Sequence, residues 1–118
     1  MTTNLFYIDT TPEGVTIISL KKQIGQGKEG LLQEALLSCF DKNKFNIILD
    51  FTDYEKIYAN ILRVISWASE IVNNQNGRLI LIGLNPFNYE KTEAVGLDEL
   101  VEIVPDIDFA LGILRDNA

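Results

Sequence analysis

The sequence of 118 residues contains no histidine and a single cysteine, Cys39. Because histidine is the commonest general base and metal ligand, its absence excludes Ser-His-Asp and Cys-His catalytic arrangements. One cysteine cannot form a disulfide within the chain, and without histidine beside it we expect no zinc or iron–sulfur site. Cys39 falls on the apolar side of a predicted helix, where we expect a buried core thiol.

Long apolar runs are also missing. No stretch approaches the roughly 20 residues of a membrane-spanning helix. The amino-terminal segment MTTNLFYIDTT lacks the basic region and long apolar core of a secretory signal. A hydrophobic fraction of 47% and a charged fraction of 23% are typical of a globular chain with one core. We therefore expect a single domain over residues 1–118, located in the cytoplasm, without direct membrane insertion.

Negative charge is concentrated at the end of the chain. The formal net charge is −7, and residues 86–118 carry eight acidic residues against Lys91 and Arg115. An acidic surface repels phosphate backbones, so we expect no nucleic-acid binding. The acidic segment is either a solvated face that aids solubility or a docking surface for a basic partner.

Hydrophobic periodicity predicts a hairpin followed by alternating helices and strands. The predicted order is β-β-α-β-α-β-α-β-α, which indicates an α/β fold with a mixed, mostly parallel sheet of four to five strands and about four helices. We expect the first strand of the hairpin at an edge of the sheet. The predicted segments are strands Leu5–Ile8 and Val15–Leu20, a helix over about 27–42, strand Phe45–Phe51, a helix from Ala59 to the turn NNQNG, strand Arg78–Gly83, a helix from Pro86 to about Val95, a short edge strand Leu100–Val104, and a helix capped by Asp106 and ending near Leu114.

Two segments contain residues of types that occur in active sites, but neither segment predicts catalysis. The glycine-containing segment KKQIGQGKEG lacks the GxxxxGK[ST] pattern of a phosphate loop. Asp50 and Asp53 follow the third predicted strand, as metal-binding aspartates do in phosphoacceptor receiver domains, but the acidic pair that those domains place after their first strand is absent. We interpret Asp50 as an acceptor for loop amides. We predict no catalytic residue, no cofactor and no metal, and hence no enzyme.

Four stretches of the chain, in this order and spacing, resemble the STAS domain family, which includes bacterial anti-sigma factor antagonists. GVTIISLKKQIGQG resembles the opening strand and loop of the family, and NGRLILIGLNP a later strand. FNIILDFTDYEKIYANIL is similar to the central strand, with its consensus L-D-[LF]-[ST] followed by I-D-S-[SA]-G-L. AVGLDELVEIVPDIDFAL resembles the ending, a short edge strand and a helix that carries A-L. The resemblance covers about residues 5 to 115.

The resemblance implies a phosphorylation-gated module that binds proteins. In typical antagonists a serine at a helix start is phosphorylated by a partner kinase. Here Tyr58 takes the place of the preceding aspartate, Ala59 the place of the serine, and Ile61 the place of the glycine. Since alanine has no hydroxyl group, we expect the usual phosphosite to be lost at Ala59.

We expect the corner between the third strand and the second helix to contact a protein partner. The resemblance implies an anti-sigma factor, a kinase-like ATPase or another STAS protein, and a homodimer is one such assembly. The alternatives are a cytosolic accessory subunit of a lipid or anion transporter, and a sensor that binds a small ligand at this corner. Ile57 and Ile61 could instead belong to the core, with only tyrosine rings reaching solvent. The candidate contact residues are Tyr54, Ile57, Tyr58, Ala59, Asn60 and Ile61.

Overall fold

The computed structural model describes residues 5–116, which form a five-stranded sheet with helices on both faces. A 3-10 turn at Leu97–Glu99 precedes the last strand. The observed order confirms the predicted alternation of strands and helices. In chain order the elements are β1 (Phe6–Thr10), β2 (Thr16–Leu20), α1 (Glu29–Asp41), β3 (Asn46–Asp50), α2 (Ala59–Asn74), β4 (Arg78–Ile82), α3 (Pro86–Ala94), β5 (Glu102–Val104) and α4 (Ile107–Asp116).

The strands lie in the order β1-β2-β3-β4-β5. β1 pairs with β2 in the antiparallel direction, and every other neighbouring pair is parallel. The hairpin is therefore at one edge and the short strand β5 at the other, as predicted. Parallel neighbours require crossover connections, which α1, α2 and α3 supply.

Each central strand contributes to two separate cores. On one face, Ile47 and Leu49 of β3 join a large cluster that includes buried residues of α1 and α2. On the other face, Ile48 packs in a smaller cluster with Ala110 of α4. This alternation follows from the two-residue period of a strand, and it explains why β3 and β4 are continuous apolar runs. Cys39 is buried in the larger core, which confirms its predicted place.

Two strand boundaries differ from the sequence-based prediction by more than one residue, namely the end of β1 and the start of β5. β1 continues beyond Ile8 because the hairpin ladder extends to the pair Thr10 and Thr16, and the N–H of Thr11 donates to the carbonyl of Val15 at 2.9 Å. An edge strand needs backbone pairing but not apolar side chains, so the apolar pattern ends before the strand does. β5 begins later than predicted because the N–H groups of Leu100 and Val101 both donate to the Leu97 carbonyl of the 3-10 turn, at 2.9 Å. Between residues 5 and 116, no helix is long and apolar enough to cross a membrane.

Candidate functional site

The segment 51–58, which joins β3 to α2, emerges at the carboxyl end of the parallel strands. Asp50 ends β3, and its Oδ1 accepts hydrogen bonds from the Thr52 N–H at 2.9 Å and the Thr52 hydroxyl at 2.6 Å. This confirms the interpretation of Asp50 as an acceptor for loop amides. Asp53 lies apart from it and forms an exposed ion pair with Lys21, at 3.1 Å between Oδ2 and Nζ. Within the described residues no group of acidic or cysteine side chains could hold a metal ion.

Tyr54 fastens this segment to the loop between β2 and α1. Its ring is buried and meets Phe51 edge-on, with 5.4 Å between ring centroids. Its hydroxyl oxygen accepts the N–H of Ile24 at 3.0 Å. Burial raises the pKa of Tyr54, so the phenol stays neutral and cannot act as a base near neutral pH.

Two amide side chains bind the backbone of the same segment from opposite sides. Asn88 of α3 is fully buried; its Oδ1 accepts the Ile57 N–H at 2.7 Å and its Nδ2 donates to the Tyr54 carbonyl at 3.1 Å. Gln23, which is exposed, forms the equivalent pair of bonds with the N–H and carbonyl of Lys56. Each side chain satisfies one donor and one acceptor, as a neighbouring strand would.

Asn85 adds a third bridge to the segment. It is the N-cap residue of α3, where its Oδ1 accepts the N–H of Asn88 at 2.8 Å, and its Nδ2 donates to the Glu55 carbonyl at 2.9 Å. The start of α3 is thereby joined to the loop that leads into α2. Segment 51–58 is consequently held by side chains from several parts of the chain, so its shape is set by the fold.

The fixed loop leaves Tyr58 and Ala59 at the surface. Tyr58 is 53% exposed and has extended backbone angles, φ −108° and ψ 178°, at the N-cap of α2. Its carbonyl accepts the N–H groups of Ile61 and Leu62, both at 3.1 Å. The Tyr58 side chain does not cap this helix, and no acidic residue lies in its first turn. The first turn of α2 therefore offers N–H groups and a partial positive charge to whatever contacts it.

The remaining predicted contact residues are enclosed by the domain itself. Tyr54, Ile57 and Ile61 belong to the larger core, so the idea that their side chains form an exposed surface is not supported. Burial of Ile57 and Ile61 matches the alternative in which both are core residues. Asn60 is also buried, and its Nδ2 lies 3.4 Å from the carbonyl oxygens of Ile24 and Gly25.

Asn60 connects α2 to the first turn of α1. Its Nδ2 donates to Oε1 of Glu29 at 3.3 Å, and the same oxygen accepts the Gly27 N–H at 2.8 Å. The backbone N–H groups of Glu29 itself and of Gly27, followed by the Asn60 amide, lower the pKa of the Glu29 carboxyl. Asn60 therefore joins α2 to the start of α1, and only a small part of its side chain reaches the surface.

Two grooves meet at Ala59 and Arg63, and we call them the loop groove and the helix groove. The loop groove lies between α2 and the loop after β2. The helix groove lies between α2 and the turn after α3. The small side chain of Ala59 leaves the junction open. Besides these two shared residues, the loop groove is lined by Gln23, Ile24, Gly25, Gln26, Tyr58 and Asn60, and the helix groove by Leu62, Ser66, Val95, Leu97 and Leu100.

The helix groove has apolar walls, and acidic residues flank some of them in the sequence. Val95 is 59% exposed and Leu100 46%, although both are aliphatic. The exposed side chains of Glu93, Asp98 and Glu99 lie next to them in the sequence, and no lysine or arginine occurs between residues 92 and 114. Acidic residues therefore flank residues of the groove in the sequence, whereas the charged residue that lines both grooves is Arg63.

Comparison with known families identifies the family of this chain. The model of the STAS domain matches residues 7–110. The chain belongs to the STAS domain family. No curated protein matches the sequence.

Solved STAS structures share the fold at low sequence identity. An anti-sigma factor antagonist described from Thermotoga maritima has 21% identity and a TM-score of 0.88, covering 95% of this chain and 96% of that one. The Bacillus cell fate determinant SpoIIAA in its phosphorylated form has 14% identity and a TM-score of 0.75, covering 93% and 99%. The murine Slc26a9 anion transporter has 11% identity and a TM-score of 0.73, covering 86% of this chain and 18% of that one. At such identities the likeness shows the fold alone.

Sequence reasoning missed the side chains that hold the site together, namely Gln23, Asn85 and Asn88. Asn85 was recognised only as the start of a helix. Asn88 lies within α3, and the local sequence does not indicate that its side chain contacts residues 54 and 57 in the folded domain. Asparagine is common at helix surfaces and caps, so nothing local marks one that is fully buried.

Proposed function

We propose that this chain is a non-enzymatic STAS module that binds a protein partner, in the cytoplasm, through the surface around Tyr58 and Ala59. The observation that carries the proposal is the position of these two exposed residues at the junction of two grooves, on a loop fixed by Asn88 and Gln23. A pre-organised loop loses little conformational entropy on binding. Exposed tyrosines are favoured in protein interfaces.

The proposed partner is an anti-sigma factor or a kinase-like ATPase, or another STAS protein, within signalling that regulates transcription. Support comes from structural neighbours described as anti-sigma factor antagonists. Glu93, Asp98 and Glu99 flank the apolar groove residues in the sequence, which favours a partner segment that presents lysine or arginine beside apolar side chains.

We further propose that phosphorylation at the start of α2 does not regulate binding by this module. Ala59 stands at the surface but has no hydroxyl group to accept a phosphoryl group. A partner would therefore meet the same small, neutral side chain under all conditions. Incubation with the cognate serine kinase and ATP should leave the intact mass of the wild-type chain unchanged, whereas Ala59→Ser should gain one phosphate. A phosphate mapped within residues 57–61 of the wild-type chain would contradict the proposal.

The surface itself is tested by placing a charge on Tyr58. Tagged wild-type protein recovers its partners from native cells, and the affinity for each identified partner is then measured for two variants. Tyr58→Asp should weaken binding about tenfold or more, because it buries a carboxylate at the interface. Tyr89→Asp is the matched control, since Tyr89 is 44% exposed and lines neither groove. Equal affinity of Tyr58→Asp and wild type, with both folded, would place the interface elsewhere.

The alternative function, an accessory subunit of an anion or lipid transporter, draws support from the neighbour that is an anion transporter. Identification of the recovered partner separates the two functions. A kinase-like ATPase or a second STAS protein supports the signalling role. A transporter subunit as the recovered partner supports the alternative and contradicts the role in transcription.

A further inference from the structure

The outer edge of β1 is a second surface, distinct from the grooves. β1 ends the sheet, and among the described residues its outer side faces no other strand. It has five residues, and Tyr7 and Ile8 in its middle are 70% and 47% exposed. The opposite edge, β5, has three half-buried residues and is followed by Pro105. Long edges with exposed apolar residues and no lysine or proline invite pairing with another strand.

The register of the hairpin identifies the backbone groups that face outward from β1. The N–H of Lys21 donates to the Leu5 carbonyl at 2.8 Å, and the N–H of Thr11 donates to the Val15 carbonyl at 2.9 Å. Odd-numbered residues of β1 are therefore the ones bonded to β2, because hydrogen-bonded and non-bonded pairs alternate along an antiparallel ladder. The N–H and C=O groups of Phe6, Ile8 and Thr10 point away from the sheet.

One of these outward groups is already occupied. The N–H of Thr10 donates to Oδ1 of Asp9 at 2.9 Å. Within the part of the chain that the structure describes, Phe6 and Ile8 are left as the residues whose N–H and C=O groups both face outward without such a bond. A strand that pairs with this edge should therefore be bonded through Phe6 and Ile8.

We propose that the outer edge of β1 binds β1 of a second copy of this chain, antiparallel, with the two-fold axis at Tyr7. Phe6 of each copy then lies opposite Ile8 of the other, and each such pair exchanges both backbone hydrogen bonds. Tyr7 lies opposite Tyr7 in a non-bonded pair. The two five-stranded sheets join into one continuous sheet.

The side chains suit this register. Phe6 and Ile8 lie on the α1 face of the sheet, where an aromatic residue opposite a β-branched one is a favourable cross-strand pair. The two tyrosines meet on the α4 face. In this register the two Asp9 residues are separated by four strand positions, about 13 Å along the strand direction. This separation exceeds the screening length of about 8 Å at physiological salt. The pairing therefore adds apolar contact without bringing like charges together.

The proposed dimer is independent of the proposed function, since neither groove includes a residue of β1. It would give one assembly two copies of the site. A partner with two matching segments would then bind more tightly than to one copy, because the second contact is intramolecular.

Proline substitution tests the pairing, with sedimentation equilibrium over a wide range of protein concentration as the measurement. The wild type should shift from one chain to two as the concentration rises. Ile8→Pro removes an outward N–H from both symmetric pairs and should weaken association about tenfold or more, while the ladder to β2 stays complete. Thr10→Pro is the matched control, since it removes an outward N–H that the pairing does not use. A wild type that stays monomeric, or an Ile8→Pro variant that dimerises as tightly, would overturn the proposal.

Disulfide trapping tests the register even if Ile8→Pro does not fold. In a Cys39→Ala background, Tyr7→Cys places two thiols on residues whose Cα atoms are about 4.5 Å apart, within the range for a disulfide. Mild oxidation should therefore cross-link it to a dimer. Asp9→Cys, on the same face of the same strand, should not cross-link, because its partner thiol is out of reach. Equal cross-linking of both variants, or of neither, would overturn the register.

Discussion

The buried amide of Asn88 offers the sharpest test of how the site is held. Replacing Asn88 by alanine removes the acceptor for the Ile57 N–H and the donor to the Tyr54 carbonyl, both in hydrogen bonds that are buried. Water cannot take the place of the amide without opening the core, because Asn88 is 0% exposed. The variant should therefore lose stability and also release segment 51–58.

The expected loss follows from the two groups left without partners. A buried polar group without a hydrogen bond costs about 1–3 kcal/mol, so two such groups, with partial relaxation, should cost about 2–4 kcal/mol. A domain of this size has a stability of about 5–15 kcal/mol, so the variant still folds. The melting temperature should fall by about 10 °C.

Gln23→Ala is the matched control, and urea unfolding is the assay. Gln23 makes the same two-bond contact with the backbone of Lys56, but at an exposed position where water replaces the lost amide. Its removal should cost less than about 1 kcal/mol, with the same dependence on urea concentration as the wild type. The reasoning fails if both variants lose the same stability, or if Asn88→Ala costs less than about 1 kcal/mol.

Two further predictions concern stability. Gly83→Ala should lose more than about 2 kcal/mol of stability, because Gly83 has φ +72° and an added Cβ would clash with the Thr52 hydroxyl oxygen. Gly112→Ala, in the middle of α4 where an added Cβ meets no other atom, should instead gain about 0.5–1 kcal/mol. Thermal unfolding measures both variants, and the reverse order of stability would contradict this reasoning. Burial raises the pKa values of the Cys39 thiol and the Tyr54 phenol, so these groups ionise at lower pH in the unfolded chain than in the folded one. The free energy of unfolding should therefore be constant with respect to these two groups below about pH 8 and fall as the pH rises above about 9. Urea unfolding at about pH 7.5 and 10 measures the fall, which Cys39→Ala should reduce; an equal fall in that variant would contradict the role of the thiol.

The fold could be predicted from sequence because its signals are local and repeated. The apolar run of β3 and the spacing of apolar residues along α2 mark those elements directly, and the alternation of strands and helices indicates a parallel sheet. Boundaries were less certain where backbone pairing extends past the apolar pattern, as at Thr10 of β1. The sequence predicted a candidate site at this corner, but it did not separate the exposed residues of the corner from the buried ones.

The sequence by itself determined the order of the elements, the family, and the absence of a hydroxyl group at Ala59, because each depends on residue identity or on patterns within a few turns of chain. Only the tertiary structure decided which residues of the corner reach solvent. Tyr54 and Tyr58 are four positions apart and chemically alike, yet one is buried and the other exposed. Ile24 and Asn88, about 30 residues away in either direction, bind the loop at Tyr54, whereas Tyr58 lies at the exposed N-cap of α2. Contacts at such separations form only when the chain has folded, so no local pattern records them.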